Sequence, residues 1–272
     1  MIGTSGWTYA SWRGAFYPDG LRHKDELAYI ADRLSSVEIN GSFYSLQRPE
    51  SYLRWRASTP DEFVLAVKGG RFITHMKKLA DVEVPLSNFF ASGTLALGDK
   101  LGPVLWQLPP SLGLDEDRLK HFFELLPRTT AAAVDLAEGH DGRVNGRAWL
   151  QTDRDRPLRH ALEVRHSSFL APAFLDLLEH HDIAVVVADT AGRWPLIREV
   201  TSDFAYVRLH GDTELYTSGY SVRALDDWAD LIRSWAREGI DVHVYFDNDA
   251  QGWAPIDAVK LSQRLADLLP RS

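Results

Sequence analysis

Short apolar runs alternate with stretches of helical periodicity along almost the whole chain. Eight of these runs have the length and the β-branched or aromatic content of buried strands. They are IGTS, SVEIN, FVLAVK, PVLWQL, HALEVR, AVVVAD, FAYVRLH and VHVYFDN. Helical patterns lie near residues 25–34, 49–58, 88–101, 115–126, 170–181, 224–238 and 256–269. Alternation of strand and helix predicts a parallel sheet with right-handed crossovers.

Eight strand–helix units predict that the sheet closes into a (β/α)8 barrel, the TIM-barrel architecture, with an open doubly wound sheet as the alternative. Residues 127–159 interrupt the rhythm: TTAAAVDLAEGH predicts an extra helix and QTDRDRP a polar loop. After AVVVAD only a short helical stretch near WPLIREV is expected, and NDAQGWAP predicts a turn with Pro255 starting the last helix. We expect one domain over residues 1–272, because such barrels use about 250 residues as a single domain.

The seventh run continues as YVRLHGD and carries two cations on one face. Side chains alternate along a strand, so Val207 and Leu209 share one face while Arg208 and His210 share the other. The same alternation recurs in SVEIN and HALEVR. Because the opposite face must meet the helices, the polar face is predicted to line the barrel interior.

Polar side chains end every predicted strand, at the edge where barrels of this kind carry their active sites. They are Ser5, Glu38, Asn40, Lys68, Gln107, Glu163, Arg165, Asp189, Arg208, His210, Asp247 and Asn248. One interpretation is a polar plug, in which Glu163 pairs with Arg165 or Arg208 and Asp189 pairs with His210. A pocket is favoured instead, because convergent titratable groups mark functional sites and buried ion pairs are a poor source of stability.

Aromatic residues are frequent in the segments that follow the strands. They are Trp7, Tyr9, Trp12, Phe43, Tyr44, Trp194, Tyr216, Tyr220 and Trp253. Most loop aromatics pack under their own loops, and a few form walls on which a sugar or a base can stack. We assign Trp7 and Tyr44 to the substrate-binding set on this ground.

Composition narrows the classes of function. The chain has 38 acidic and 30 basic residues and a formal charge of −8, which provides no overall attraction for nucleic acid. It has no cysteine, which excludes disulfides and cysteinyl metal sites. Dinucleotide, phosphate-loop and hydrolase motifs are absent, so no cofactor is expected. No apolar run reaches membrane-spanning length and no signal core precedes the first strand, so we expect a cytoplasmic protein that binds no membrane.

Several segments in order resemble the YecE-like family, a domain of unknown function with a TIM-barrel fold. They are GTSGWTYASWRGAFYP, VEINGSFYSL, FVLAVKGGRFITH, LGPVLWQLPPS, ALEVRHSSF, VADT, YVRLHG and VYFDNDAQGWAP. The last strand of that family usually reads Phe-Asn-Asn-Asp, whereas this chain has Asp247 at the second position. The resemblance implies the fold and implies no particular reaction.

The strand-end residues predict an enzyme that performs acid/base chemistry on a small polar anion, such as a sugar acid, a sugar phosphate or a nucleotide fragment. Arg208 and Lys68 would hold the anionic group, because guanidinium and ammonium groups suit carboxylates and phosphates. Glu163 would transfer the proton with His210 as its counterpart, and Asp189 is the third catalytic candidate. The remaining substrate-binding candidates are Ser5, Trp7, Asn40, Tyr44, Gln107, Arg165, Asp247 and Asn248.

Several different functions stay open at this point. A metal-dependent phosphodiesterase, similar to apurinic-endonuclease barrels, would use Glu163, Asp189, His210 and Asp247 as ligands, but two arginines on the same strands disfavour a divalent cation and we expect no metal. A retaining glycosidase is disfavoured because its two carboxyls must lie about 5 Å apart, and Glu38 and Glu163 belong to strands three apart. The sequence is also compatible with nucleic-acid binding and with a non-catalytic, ligand-binding barrel. The expected partner is a small molecule and the expected state is a monomer.

Overall fold

Eight parallel strands form one closed barrel in the computed structural model, which describes residues 1–268. Each strand pairs with its neighbours along the chain, and the eighth pairs with the first. The strands are β1 Ile2–Ser5, β2 Ser36–Ile39, β3 Val64–Lys68, β4 Leu101–Gln107, β5 His160–Glu163, β6 Ala184–Asp189, β7 Phe204–Leu209 and β8 Asp241–Phe246. Every predicted strand is present and the prediction of a closed barrel is confirmed. The alternative of an open sheet is wrong.

Helices connect the strands and pack on the outside of the barrel. They are α1 Glu26–Ala31, α2 Gly41–Tyr44, α3 Pro49–Ala57, α4 Glu83–Ala91, α5 Glu116–Leu125, α6 Thr130–Ala137, α7 Pro172–His180, α8 Val222–Arg237 and α9 Trp253–Arg264. Helix α6 is the extra helix predicted in the insertion, and the side chain of Thr129 caps it by accepting the N–H of Ala132 at 3.2 Å. It packs against α4.

Three predicted helix positions differ from the structure. A single helix was expected over 88–101, but α4 ends at Ala91 because Gly93 adopts a left-handed conformation with φ of 115°, and a separate 3₁₀ segment follows. Residues 194–200 form a loop and no helix, since the backbone turns at Gly192 with positive φ and Pro195 disfavours the helical conformation of the residue before it. Helix α9 begins two residues before Pro255, which lies inside its first turn.

The barrel interior is apolar at the end where the strands begin and charged at the end where they finish. Small and aromatic side chains fill the lower part, among them Ala66, Leu105, Val186, Tyr206 and Tyr245. The hydroxyl of Tyr206 donates to a carboxylate oxygen of Glu38 at 2.7 Å, which joins the two layers. The apolar layer therefore supports the polar side chains from below.

The backbone of Gly69, directly after β3, passes against the indole ring of Trp106. A Cβ on Gly69 would lie 2.2 Å from a ring carbon, whereas a Cβ on neighbouring Gly70 would meet nothing closer than 3.8 Å. Gly69→Ala should therefore lower the free energy of unfolding by about 1–3 kcal/mol through overpacking, and Tm by several degrees. Gly70→Ala is the matched control and should change the free energy by roughly 0.5 kcal/mol or less. Equal melting curves for the two variants would contradict this view of the strand end.

Candidate functional site

The guanidinium of Arg208 lies at the centre of the charged layer and is 0% exposed. Its Nε and Nη2 donate to the two oxygens of Glu38 at 3.1 and 2.9 Å, and Nη1 donates to Glu163 at 2.7 Å. Nη2 also donates to Ser5 Oγ at 2.7 Å and to Asp247 at 3.1 Å. Each of its nitrogens already has an acceptor. This placement corrects the expectation that Arg208 holds the anion of a ligand.

Glu163 is fully buried between two arginines. Its Oε1 accepts from Nε of Arg165 at 2.8 Å, and its Oε2 accepts from Arg208. Burial alone would raise the pKa of Glu163, but the charges of Arg165 and Arg208 outweigh burial and hold the pKa below its usual range. The plug interpretation predicted that Glu163 pairs with Arg165 or Arg208, and it pairs with both. Glu163 is therefore placed as a counter-ion, since each of its carboxylate oxygens accepts from an arginine.

His210 is also buried beneath the surface of the site. Its Nδ1 lies 2.9 Å from Asp247 Oδ2, in a geometry too bent for a well-formed hydrogen bond, and its Nε2 lies 3.9 Å from Glu163. Tyr216 packs edge-on against the imidazole with ring centroids 5.4 Å apart. The predicted pairing of His210 with Asp189 is wrong.

Asp189 and Asn248 point away from the barrel interior. Asp189 accepts hydrogen bonds from the hydroxyl of Tyr220 at 3.1 Å and from the N–H of Ala191 at 3.4 Å. Asn248 donates to the carbonyl of Ser218 and to Asp257 at 3.0 and 3.1 Å. Both residues continue the outward-facing positions of their strands, so they correct the expectation of a catalytic and a substrate-binding role.

A cavity of about 470 Å³ opens above the charged layer at the carboxyl ends of the strands. Six of the predicted residues line it: Asn40, Tyr44, Lys68, Gln107, Arg165 and Asp247. Two others do not. Ser5 lies below, where its Oγ accepts from Asn40 Nδ2 at 2.8 Å, and Trp7 lines an adjoining cleft. The structure therefore separates the predicted set into a buried floor, a cavity wall and two outward-facing residues.

Lys68 is the buried cation of the wall, and it has no ion-pair or hydrogen-bond partner in residues 1–268. Its side chain is 7% exposed, and no hydrogen-bond acceptor or ion-pair partner lies near its Nζ among residues 1–268. The ammonium lies 4.5 Å from the centre of the Phe43 ring, a cation–π contact. Burial and the charge of Arg208 together lower the pKa of Lys68 to about 8, against the opposing effect of the nearby carboxylates. A buried cation that faces a cavity in this way is available to an anion.

Two carboxyl groups that follow β8 have opposite protonation preferences. Burial would raise the pKa of Asp247, but Arg208 and His210 hold it below its usual range. Burial and the negative charge of Asp247 raise the pKa of Asp249 well above its usual range. Asp249 Oδ1 is buried without a hydrogen-bond partner. Paired carboxyls whose pKa values are driven apart are the usual arrangement for an acid and a base.

Seven wall residues were outside the predicted site set. They are Tyr9, Phe43, Arg71, His75, Tyr216, Asp249 and Ala250. Burial and the charges of Lys68 and Arg165 lower the pKa of His75 to about 4, so its imidazole is neutral at pH 7. The signal for His75 and Arg71 was the segment GGRFITH directly after β3, beyond the strand end at which the prediction stopped.

Some of the loop aromatics pack under their loops and others lie at the cavity, as the sequence suggested. Trp12 and Tyr220 are buried under their loops, and Tyr44 is 70% exposed at the rim of the cavity. The ring of Trp194 lies 4.0 Å from the guanidinium carbon of Arg165 and fixes that side chain from outside. Tyr216 reaches the cavity from a left-handed backbone conformation with φ of 64°, which is strained for a residue with a side chain.

The described part of the chain contains neither a cluster of metal-binding side chains nor a membrane-spanning helix. Over residues 1–268, no three or more His, Asp or Glu side chains converge as a metal site would require. In the same part of the chain, no helix combines the length and the apolar character needed to span a bilayer. Glu163 and Asp247, two of the ligands of the metal hypothesis, instead pair with arginine.

The family profile named Protein of unknown function DUF72 matches residues 1–271. The chain belongs to the DUF72 family. Among curated relatives, UPF0759 protein YecE of Escherichia coli K12 is 26% identical over 74% of each chain. UPF0759 protein YunF of Bacillus subtilis 168 is 23% identical over 98% of this chain and 94% of that protein.

Solved structures of DUF72 proteins have the same fold. A family member from Thermotoga maritima MSB8 superposes with a TM-score of 0.76 at 24% identity, over 97% of this chain and 98% of that one. Another from Enterococcus faecalis V583 has a TM-score of 0.73 at 18% identity, over 99% and 96% of the two chains. At these identities the likeness shows the TIM-barrel fold of this DUF72 protein.

Replacing Glu163 tests its role as counter-ion. Glu163→Gln keeps the shape and leaves Arg165 and Arg208 poorly paired, so we expect a loss of about 3–5 kcal/mol in the free energy of unfolding. The pKa of Glu163 is depressed in the folded state, so its stabilisation is present above the unfolded value of about 4.3 and is lost as pH falls further. The difference in Tm between native chain and variant should therefore narrow below about pH 4.

Asp189→Asn is the matched control, because it removes a strand-end carboxyl that lies outside the charged layer. It should cost about 1 kcal/mol or less, the value of one neutral hydrogen bond. Equal losses for Asp189→Asn and Glu163→Gln at neutral pH would contradict the counter-ion role.

Proposed function

We propose that this DUF72 protein is an enzyme that binds a small polar anion in the 470 Å³ cavity and performs acid/base chemistry on it. The observation that carries the proposal is Lys68, whose buried ammonium faces the cavity without a protein partner. A buried cation costs stability unless something pairs with it. An anionic group of the substrate is the partner that this position lacks.

The charges around the cavity support an anionic substrate. The buried cations of the charged layer and wall are Arg208, Arg165 and Lys68, and the carboxylates paired with the two arginines are Glu38, Glu163 and Asp247. Asp189 faces away from the barrel interior, so its charge does not belong to the site. The raised pKa of Asp249 favours its neutral form. Arg71 adds a further positive charge to the wall. The site is thus balanced or slightly positive in a chain that is acidic overall.

Asp249 is the proton donor in this proposal. Its carboxyl lines the cavity, has a buried oxygen without a partner, and holds its proton more tightly than an ordinary aspartic acid. Asp247 is a positioning residue, because its negative charge keeps the proton on Asp249. Glu163 and His210 are assigned to the floor, where they orient Arg165, Arg208 and Asp247.

Sulfate binding to variants of Lys68 tests the anion site. The native chain should bind sulfate in calorimetric titration, and the affinity should fall as pH rises through about 8, where the ammonium loses its proton. Lys68→Met should weaken sulfate binding at least tenfold without lowering Tm, since it removes a buried cation that has no partner. Lys77→Met is the matched control, because it replaces a half-buried lysine that does not line the cavity. It should change neither the sulfate affinity nor Tm.

Unchanged sulfate affinity in Lys68→Met would overturn the anion site. Binding of unrelated oligonucleotides that weakens steeply with salt would favour a nucleic-acid-binding function instead, because phosphate contacts release counterions. A small-molecule enzyme should show no such binding at physiological salt.

The proton on Asp249 can be observed directly. Infrared titration should show a protonated carboxyl band that persists above the usual range of aspartic acid and is absent in Asp249→Asn. Asp247→Asn should shift this titration to lower pH, because the neighbouring negative charge that raises the pKa of Asp249 is removed. Burial also raises the pKa of Asp189, so loss of the band in Asp189→Asn rather than in Asp249→Asn would contradict the assignment.

A further inference from the structure

A second cleft of about 290 Å³ adjoins the anion cavity. Tyr9 and Asn40 line both spaces, so the two are neighbours across these side chains. Together they fall within the range of about 300–1,000 Å³ that small-molecule sites occupy. The volume of the anion cavity alone is sufficient for a small anionic group, which leaves the cleft for another part of a larger ligand.

The walls of the cleft are flat and aromatic. Trp7 and Trp55 meet edge to face with ring centroids 5.4 Å apart and an interplanar angle of 82°. Tyr52, which is buried, packs in the same manner against Trp55 at 5.2 Å and fixes it from behind. Both tryptophans are half-buried and line the cleft. Preformed aromatic faces favour a flat ring, because stacking adds about 0.5–1.5 kcal/mol beyond the burial of area.

Asn40, which lines both the cleft and the cavity, has an unsatisfied acceptor. Its Nδ2 donates to Ser5 Oγ at 2.8 Å, but its Oδ1 is buried and accepts from no group within residues 1–268. A buried acceptor without a donor lowers stability. An N–H or O–H group of a ligand that passes between the two spaces would satisfy it.

We infer that the cleft of Trp7 and Trp55 is a second subsite that binds a flat ring covalently attached to the anionic group in the cavity. This inference rests on the proposed function and deepens it, since it defines the substrate class as an anion with a planar ring and a hydrogen-bond donor near the junction. Aromatic stacking selects the ring, and Asn40 Oδ1 selects the donor.

Two probes of equal charge test the ring subsite. Methyl sulfate and phenyl sulfate each carry one negative charge and differ in the ring. The native chain should bind phenyl sulfate about tenfold more tightly in calorimetric titration, the ratio that corresponds to a stacking gain of about 1.4 kcal/mol. Binding of phenyl sulfate should quench tryptophan fluorescence, and binding of methyl sulfate should not.

Two variants test whether the higher affinity for phenyl sulfate comes from the aromatic cleft. Trp55→Leu removes one aromatic wall, and Thr8→Phe places a ring in the cleft from an exposed position, where we expect the fold to be retained. Each should reduce the preference for phenyl sulfate to less than threefold while methyl sulfate binds as before. Trp149→Leu, at a half-buried tryptophan in the insertion, is the matched control and should keep the preference.

The outcomes separate the two proposals. If both probes bind equally in the native chain and both depend on Lys68, the anion site stands and the ring subsite is overturned. A preference that survives in Thr8→Phe also overturns the ring subsite, even if Trp55→Leu fails to fold. If neither probe binds, or if binding ignores Lys68→Met, the proposed function itself fails.

Discussion

The burial of one guanidinium governs the upper half of this barrel. Arg208 has no contact with solvent, and each of its nitrogens must therefore find an acceptor inside the protein. Glu38, Glu163 and Asp247 supply carboxylates from three different strand ends, and Ser5 supplies a hydroxyl from a fourth. A buried ion pair contributes little net stability over an apolar filling, but breaking one is costly. The network consequently holds the strand ends in one arrangement.

This network determines the charges of the groups that face the cavity above it. Because Arg208 takes up the carboxylates of the floor, none of them is within hydrogen-bond or ion-pair distance of the ammonium of Lys68 in the described residues 1–268. The same guanidinium keeps Asp247 ionised, and that charge in turn raises the pKa of Asp249. A floor in which Arg208 is fully paired thus supports a wall with one buried cation that has no partner in residues 1–268 and one carboxyl whose pKa is raised.

The division into floor and wall also explains why burial is a poor guide to chemistry here. Glu163 and His210 are 0% exposed, as are Glu38 and Arg208, yet none of these four groups lines the cavity. The wall comes largely from segments beyond the strands: Arg71 and His75 follow β3, Tyr216 follows β7 and Asp249 follows β8. A rigid floor on strands with a wall on loops is common in barrels of this kind, since loops are free to vary.

The sequence alone predicted the eight strands and the concentration of polar groups at one end, because period-two alternation can be read from consecutive residues such as Val207 to His210. It favoured a closed barrel over an open sheet through the number of strands, and the structure confirmed the closure. The sequence did not determine that Asp189 faces outward, since AVVVAD is apolar on both faces and the alternation that would assign Asp189 to one face cannot be read from it. It also did not determine which strand-end groups pair. Whether Glu163 pairs with Arg165 and Arg208 or faces a substrate depends on the distances across the barrel and on how strongly its carboxylate is desolvated. Only the tertiary structure decides these distances and this desolvation, because residues far apart in the chain produce them.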